Sequence, residues 1–273
     1  MTALQSSIIA ELGVARTFDA AAEAERRIEF LAGYLRRSGL HSYVLGVSGG
    51  VDSTTASMLA QAAVKRLREG GYEAQFVAMR LPYGAQRDEA DAALAIKTIR
   101  PDHTVTVNIK PAADGMLAEV RTASGALWNP AGEDFHFGNI KARQRMVAQY
   151  ALAGSLGGIV IGTDHAAEAL MGFFTKFGDG AADILPLAGL NKRRIRAIAS
   201  LLGAPKELVF KVPTADLEEK RPLRPDEDAY GVTYEEIDDF LEGRKISDES
   251  EAKILKFYRS SAHKRALPVV PGD

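Results

Sequence analysis

Six consecutive residues, Ser48-Gly49-Gly50-Val51-Asp52-Ser53, carry the parts of a phosphate-binding turn. Adjacent glycines let backbone N–H groups come close to an anion, and a helix that begins there adds its partial positive charge. Ser48, Ser53 and Thr54 supply hydroxyl donors, and Gly46-Val47 lead into the turn. The pattern is neither GxxxxGK[ST] nor GxGxxG. Its distinguishing member is Asp52. A carboxylate among phosphate donors repels the phosphates unless a cation lies between, so Asp52 implies Mg²⁺ on a polyphosphate. The plainer alternative is a tight turn with Asp52-Ser53 as a helix cap.

A second group starts at Gly162-Thr163-Asp164-His165-Ala166-Ala167-Glu168. Glu168 follows an apolar run, so it falls near the carboxyl end of another strand and can face Asp52 across one crevice, where two carboxylates clamp a divalent ion. Alternatively, Asp164 caps a helix and Glu168 favours its first turn. Downstream lie Phe173-Phe174-Thr175-Lys176-Phe177-Gly178-Asp179-Gly180, Asp183 and Asn191-Lys192-Arg193.

These groups need a scaffold, and the periodicity supplies one. Ala24, Ile28, Leu31 and Leu35 form one helical stripe that stops at Gly39. Tyr43–Val47 is a short apolar run suited to a strand buried on both faces. Helix is expected over Thr54–Leu67, Asp88–Ile99, Pro111–Arg121, Asn139–Leu156, Lys192–Leu202, Thr233–Leu241 and Asp248–Tyr258. Strands are expected over Ala74–Met79, Val105–Ile109 and Gly157–Gly162. The alternation predicts an α/β fold, a doubly wound, mostly parallel sheet with helices on both faces and the ligand site at the carboxyl ends of the strands. No linker divides the chain, so 1–273 reads as a single domain. Gly172–Gly189 and Asp216–Gly231 read as long loops, of the length that serves as lids.

Composition narrows the function. The 273 residues include 34 Lys+Arg against 36 Asp+Glu, which gives no support for a nucleic-acid or anionic-membrane partner. The absence of cysteine excludes disulfides, thiolate metal sites and a Cys nucleophile. No run approaches the roughly 18 apolar residues of a membrane span. The start MTALQSSIIAELG lacks a secretory pattern, so the expected location is cytoplasmic.

The Ser48–Ser53 loop resembles the pyrophosphate loop of the N-type ATP pyrophosphatases. Within that superfamily, Gly162–Glu168, Gly172–Gly180, Asp183 to Leu187, Pro213-Thr214-Ala215-Asp216, His263-Lys264-Arg265, Met79–Gly84 and Gly138–Arg143 resemble the ammonia-dependent NAD synthetases over essentially the whole chain. Val51 departs from the Gln frequent there. The resemblance implies a ligase in NAD biosynthesis that forms a C–N bond. ATP adenylates the nicotinate carboxylate of deamido-NAD, pyrophosphate leaves, and ammonia displaces AMP. It implies ATP binding by Gly46, Val47, Ser48, Gly49, Gly50, Val51, Asp52, Ser53, Arg80, Gln86, Thr163, Lys192 and Thr214. It implies Mg²⁺ on Asp52 and Glu168, and deamido-NAD binding by Arg143, Lys176, Asp183, His263 and Lys264. Lys192 would neutralise charge on the phosphates; otherwise it is a solvated helix-start cation. Asp179 would attract ammonium and accept its proton; otherwise Gly178-Asp179-Gly180 is a tight turn. The phenylalanines would shield the adenylate or form an interface. A homodimer with deamido-NAD across its interface is implied. Glutamine-dependent forms add an amidase domain with a Cys nucleophile, so this chain is expected to use free ammonia.

Overall fold

The computed structural model describes residues 2–84, 89–214 and 225–271. The chain opens with α1 (Ala3–Glu11) and α2 (Ala20–Ser38), then β1 (Ser42–Gly46), α3 (Val51–Glu69), β2 (Gln75–Arg80), α4 (Glu89–Ile99) and β3 (His103–Thr106). Two helices follow, α5 (Lys110–Ser124) and α6 (Glu133–Ser155), before β4 (Gly158–Val160). The remainder is helical: α7 (Ala166–Met171), α8 (Lys192–Leu201), α9 (Lys206–Val209), α10 (Asp226–Tyr230), α11 (Tyr234–Leu241), α12 (Asp248–Ser260) and α13 (Ala262–Arg265).

The four strands form one parallel sheet in the order β3-β2-β1-β4, with Val44 of β1 beside Val77 on one flank and Val160 on the other. The chain builds outward from β1 to β3, then returns across the sheet to β4. The switch point therefore falls between β1 and β4, and the crevice at their carboxyl ends is where open α/β sheets bind ligands.

Side-chain alternation divides the sheet residues between two cores. Tyr43, Leu45, Phe76, Ala78 and Ile159 pack with α2, α3 and α8. Val44, Val77, Met79 and Val160 pack on the other face with Ile109 and with Ala153 of α6. Both faces are covered, as the near-continuous apolar runs require. A third cluster lies away from the sheet, where Ile8, Leu170, Tyr234, Ile237, Phe240 and Ile254 join α1, α7, α11 and α12.

The expected long elements are present with shifted ends. The third strand sits earlier than Val105–Ile109. It is the exposed edge strand, mostly polar, and the buried Ile109 belongs to the connection into α5. The short helices α7, α9, α10 and α13 are too brief for periodicity to reveal, and α1 is nine residues without a marked apolar stripe. Gly172–Gly189 is irregular, with one isolated bridge from Ile161 to Ile184. Much of the expected Asp216–Gly231 loop lies outside the described residues. Among the described residues no helix is long and apolar enough to cross a membrane.

Candidate active site

A cavity of about 430 Å³ opens at the carboxyl ends of β1 and β4. Gly46, Val47, Ser48, Gly50, Val51, Asp52 and Ser53 form one side, and Gly162, Thr163 and Glu168 another. Phe173, Phe174, Asp179 and Lys264 close the third, and Thr214 and Asp226 the fourth.

Helix α3 starts beside the first side. Its N-cap residue is Gly50, which has no side chain to occupy the first-turn N–H groups. Neither Asp52 nor Ser53 caps the helix, so the plainer alternative for this loop does not hold. The free N–H groups and the dipole face the cavity, the arrangement that binds phosphate. Ser48 Oγ lies 3.2 Å from Ser53 Oγ and accepts the Gly50 N–H at 3.3 Å. Gly49 stands apart from the cavity wall. It has φ +84°, and a Cβ there would come within 2.7 Å of Ala92 N and 2.8 Å of the Asp91 carbonyl carbon in α4. The Gly46 N–H is already engaged by Gln149 Oε1 of α6 at 2.7 Å.

Asp52, on the cavity wall, meets Lys192 beneath the cavity floor, where Lys192 is buried and does not itself line the cavity. Lys192 Nζ donates to Asp52 Oδ2 at 2.8 Å and lies 4.8 Å from the Tyr234 ring centroid. Lys192 is 1% exposed, so it is not a solvated helix-start cation. Its backbone is fixed as tightly as its side chain. Asn191 caps α8, and Asp238 of α11 accepts the N–H groups of Lys192 (3.0 Å) and Arg193 (2.7 Å). Burial alone would raise the Asp52 carboxyl, but the Lys192 ammonium, together with His165 and Arg196, holds Asp52 below the usual range. Burial would lower Lys192, and the charges of Asp52 and Glu168 keep it raised.

His165 fills the space between the two carboxylates. It is 1% exposed, and its Nε2 is 3.5 Å from Asp52 Oδ1 and 3.5 Å from Glu168 Oε2. It is also the N-cap of α7, its Nδ1 accepting the Glu168 N–H at 3.4 Å, so Asp164 is not the cap. Burial and the Lys192 charge push the imidazole down to about 3, leaving it neutral. Sequence reasoning missed His165. Its one local signal is a place just before a helix, where a side-chain acceptor is useful.

The donor set suits a divalent cation. Asp52 Oδ1 is buried with no hydrogen-bond partner among the described residues, and ligand atoms of Asp52, His165 and Glu168 lie within 4.8 Å of one another. Burial, then the Asp52 charge, push Glu168 well above the carboxylate range, a strain that a cation between the two would relieve. The hard carboxylate oxygens match Mg²⁺.

Asp179 lies further along the wall, exposed and open to the cavity. Its Oδ1 accepts the Thr175 N–H at 2.9 Å, and burial pushes the carboxyl up. Asp164 is pushed up to about 7, first by burial and then by the Asp179 charge.

The other expected residues divide. Thr163, Thr214 and Lys264 line the cavity; Lys264 Nζ donates to the carbonyls of Gly172 and Phe174, each at 2.8 Å. Arg143, Lys176 and His263 form a chain outside the wall: Arg143 donates to the Lys176 carbonyl at 3.2 Å, and Lys176 Nζ donates to the His263 carbonyl. Asp183 also stands off the wall. Its Oδ2 accepts the Val160 N–H at 2.8 Å and Tyr150 donates to its Oδ1 at 3.3 Å, so it ties off β4. Arg80 ends β2 with its guanidinium paired to Glu89 and is likewise off the wall. Gln86 lies outside the described residues. Phe173 packs edge-on against Tyr230, Phe174 lines the cavity, and Phe177 points outward.

A model of the family described as NAD synthase matches residues 23–268. The chain belongs to the NAD synthase family. Among curated relatives, the NH(3)-dependent NAD(+) synthetase of Burkholderia lata is 65% identical over 98% of this chain and 95% of the relative. The NAD+ synthetase structure from Burkholderia pseudomallei is similar with a TM-score of 0.84 and 61% identity, covering 97% of each chain. The NMN synthetase structure from Francisella tularensis is also similar, 35% identical with a TM-score of 0.81, covering 94% of this chain and all of that one. The fold, a parallel α/β sheet with helices on both faces, is thus the family's fold.

Proposed function

We propose that this member of the NAD synthase family is an ammonia-dependent NAD synthetase, a ligase that adenylates the nicotinate carboxylate of deamido-NAD with ATP and lets ammonia displace AMP. The observation that carries the assignment of roles is the meeting of Asp52, Lys192 and Glu168 beside the uncapped start of α3.

A carboxylate is a poor electrophile because its leaving group would be oxide. Activation comes first: a carboxylate oxygen attacks the α-phosphorus of ATP and pyrophosphate departs. The first-turn N–H groups of α3 from Val51 on and the hydroxyls of Ser48 and Ser53 receive the pyrophosphate, where charge accumulates. Asp52 and Glu168 would hold Mg²⁺, which when bound neutralises phosphate charge. Lys192, paired with Asp52, places a buried positive charge beside the phosphate site. Thr163 and Thr214 contact ATP from the other walls.

Ammonia then attacks the acyl carbon and AMP leaves. Ammonium must lose a proton first. Asp179, on the cavity wall with a raised carboxyl, attracts ammonium and is a stronger base than an ordinary carboxylate. Lys264 holds the Gly172–Phe174 backbone against this side, and Phe174 screens the water-sensitive adenylate. Arg143, Lys176 and His263 stand at the outer edge, where the dinucleotide phosphates of deamido-NAD require cations; a homodimer would place this edge at its interface. The chain carries no thiol with which to release ammonia from glutamine.

Pyrophosphate release is the test. It should require deamido-NAD for adenylation, and NAD should accumulate only with ammonium present. Nicotinic acid mononucleotide should be a poor replacement for deamido-NAD, and glutamine should not replace ammonium. Efficient turnover of the mononucleotide, or NAD formation from glutamine with the purified chain, would overturn the assignment.

A further inference from the structure

The buried imidazole of His165 has a fixed orientation. Nδ1 faces a backbone donor, the Glu168 N–H at 3.4 Å. An N–H on Nδ1 would point at the Glu168 N–H and clash with it, so Nδ1 carries its lone pair. The proton therefore belongs on Nε2. That atom is buried, has no hydrogen-bond partner among the described residues, and lies equally, at 3.5 Å, from one oxygen of Asp52 and one of Glu168.

A metal ligand would need the opposite arrangement, with a lone pair on Nε2 and the proton on Nδ1. The cap interaction of α7 opposes that tautomer. The three side chains resemble a three-ligand cluster only in their distances. We propose that His165 is a positioning residue, a donor and not a ligand, whose Nε2–H sets the spacing of the Asp52 and Glu168 carboxylates so that they can share one cation. Among the described residues, Lys192 holds the other oxygen of Asp52, and the Glu168 backbone N–H is fixed by His165 Nδ1. The same ring thus links the start of α7 to the carboxylate of α3, fixing the approach of the two walls at the cavity floor.

The inference rests on Asp52 and Glu168 forming the cation site, and that premise has its own control. Mn²⁺ titrated into the intact protein in the presence of a non-hydrolysable ATP analogue should bind, and Asp52→Asn should abolish the tight site. If the wild-type protein binds no Mn²⁺ there, the premise fails and the proposal with it. The proposal itself is read from the wild-type protein by ¹⁵N-histidine NMR. The five histidines give five ring patterns, and the one missing in His165→Asn should show Nε2–H with an unprotonated Nδ1. The reverse tautomer would overturn the donor role, as would a directly coordinated nitrogen in pulsed EPR of the bound Mn²⁺. Variants add a second readout independent of turnover. His165→Asn keeps an acceptor for the α7 cap and loses the distal donor. It should bind Mn²⁺ roughly 10–100-fold more weakly, the usual cost of losing an outer-shell partner, with an unchanged circular dichroism spectrum. His165→Gln carries an amide N–H further out and should recover part of the affinity. Wild-type Mn²⁺ affinity in His165→Asn, or no recovery in His165→Gln, would count against the proposal.

Discussion

At the cavity floor Lys192 is held at both ends: its ammonium by Asp52, its amide by Asp238 on another helix. At the rim the cations are spent differently. Lys264 and Lys176 donate to backbone carbonyls of the Gly172–Gly189 segment and of the chain's last helix, and Arg143 to another carbonyl. The floor cation is paired with a carboxylate of the protein itself, so the fold sets its geometry. Rim cations satisfy carbonyls that water satisfies almost as well, so they can be exchanged for ligand phosphates at small cost. The floor is suited to chemistry and the rim to recognition.

The largest effect should come from breaking the floor pair. Asp52→Asn should reduce pyrophosphate release by at least about 10²–10³-fold. It also leaves a buried ammonium without its partner, so stability should fall by about 3–5 kcal/mol in denaturant titrations. Lys192→Met should destabilise likewise, but Asp52→Asn with Lys192→Met should be much more stable than the sum of the singles, and still inactive. Additive losses would mean the two groups do not depend on each other. At the rim, Lys264→Met should raise the KM for deamido-NAD about tenfold, worth about 1.4 kcal/mol, while the KM for ATP stays near wild type. Equal changes in both would erase the distinction between the two regions.

The smallest effect concerns Asp164, between them. Its carboxyl is raised to about 7, above its unfolded value. The folded protein therefore keeps a proton that the unfolded chain releases, and stability falls as pH rises from about 4 to about 7. Asp164→Asn removes this penalty. Its melting temperature should match wild type near pH 4 and exceed it by a few degrees above pH 7. A constant difference across that range would place Asp164 outside the influence of Asp179.

The floor was half legible in the sequence. Asp52 and Glu168 follow glycine-bounded apolar runs, and strand ends in an α/β alternation converge. The pairing of Asp52 with Lys192 was not legible, because it joins residues 140 apart through the packing of α8 against α3. His165 was hidden because burial, not its type or spacing, gives it a role. The rim was legible only through resemblance. Single cations such as Lys176 and Arg143 have no local pattern, and their carbonyl partners lie in irregular backbone or at helix ends. The edge strand was misplaced because its polar HTVT lacks the apolar weight of the run that follows.

The two glycines of the loop answer to different constraints, although they are neighbours. At Gly49 any side chain would run into the backbone of α4, and no exchange of side chains elsewhere can clear it. Gly50 has φ −76° and ψ 160°, open to every residue type, and its nearest neighbour to an added Cβ is Ser48 Oγ at an ordinary 3.4 Å. Over evolutionary drift, position 49 is therefore policed by folding in every descendant, active or not. Position 50 is policed only by what binds. A lineage that abandoned the reaction would keep the first glycine and lose the second, so the pair records whether the phosphate site is still in use.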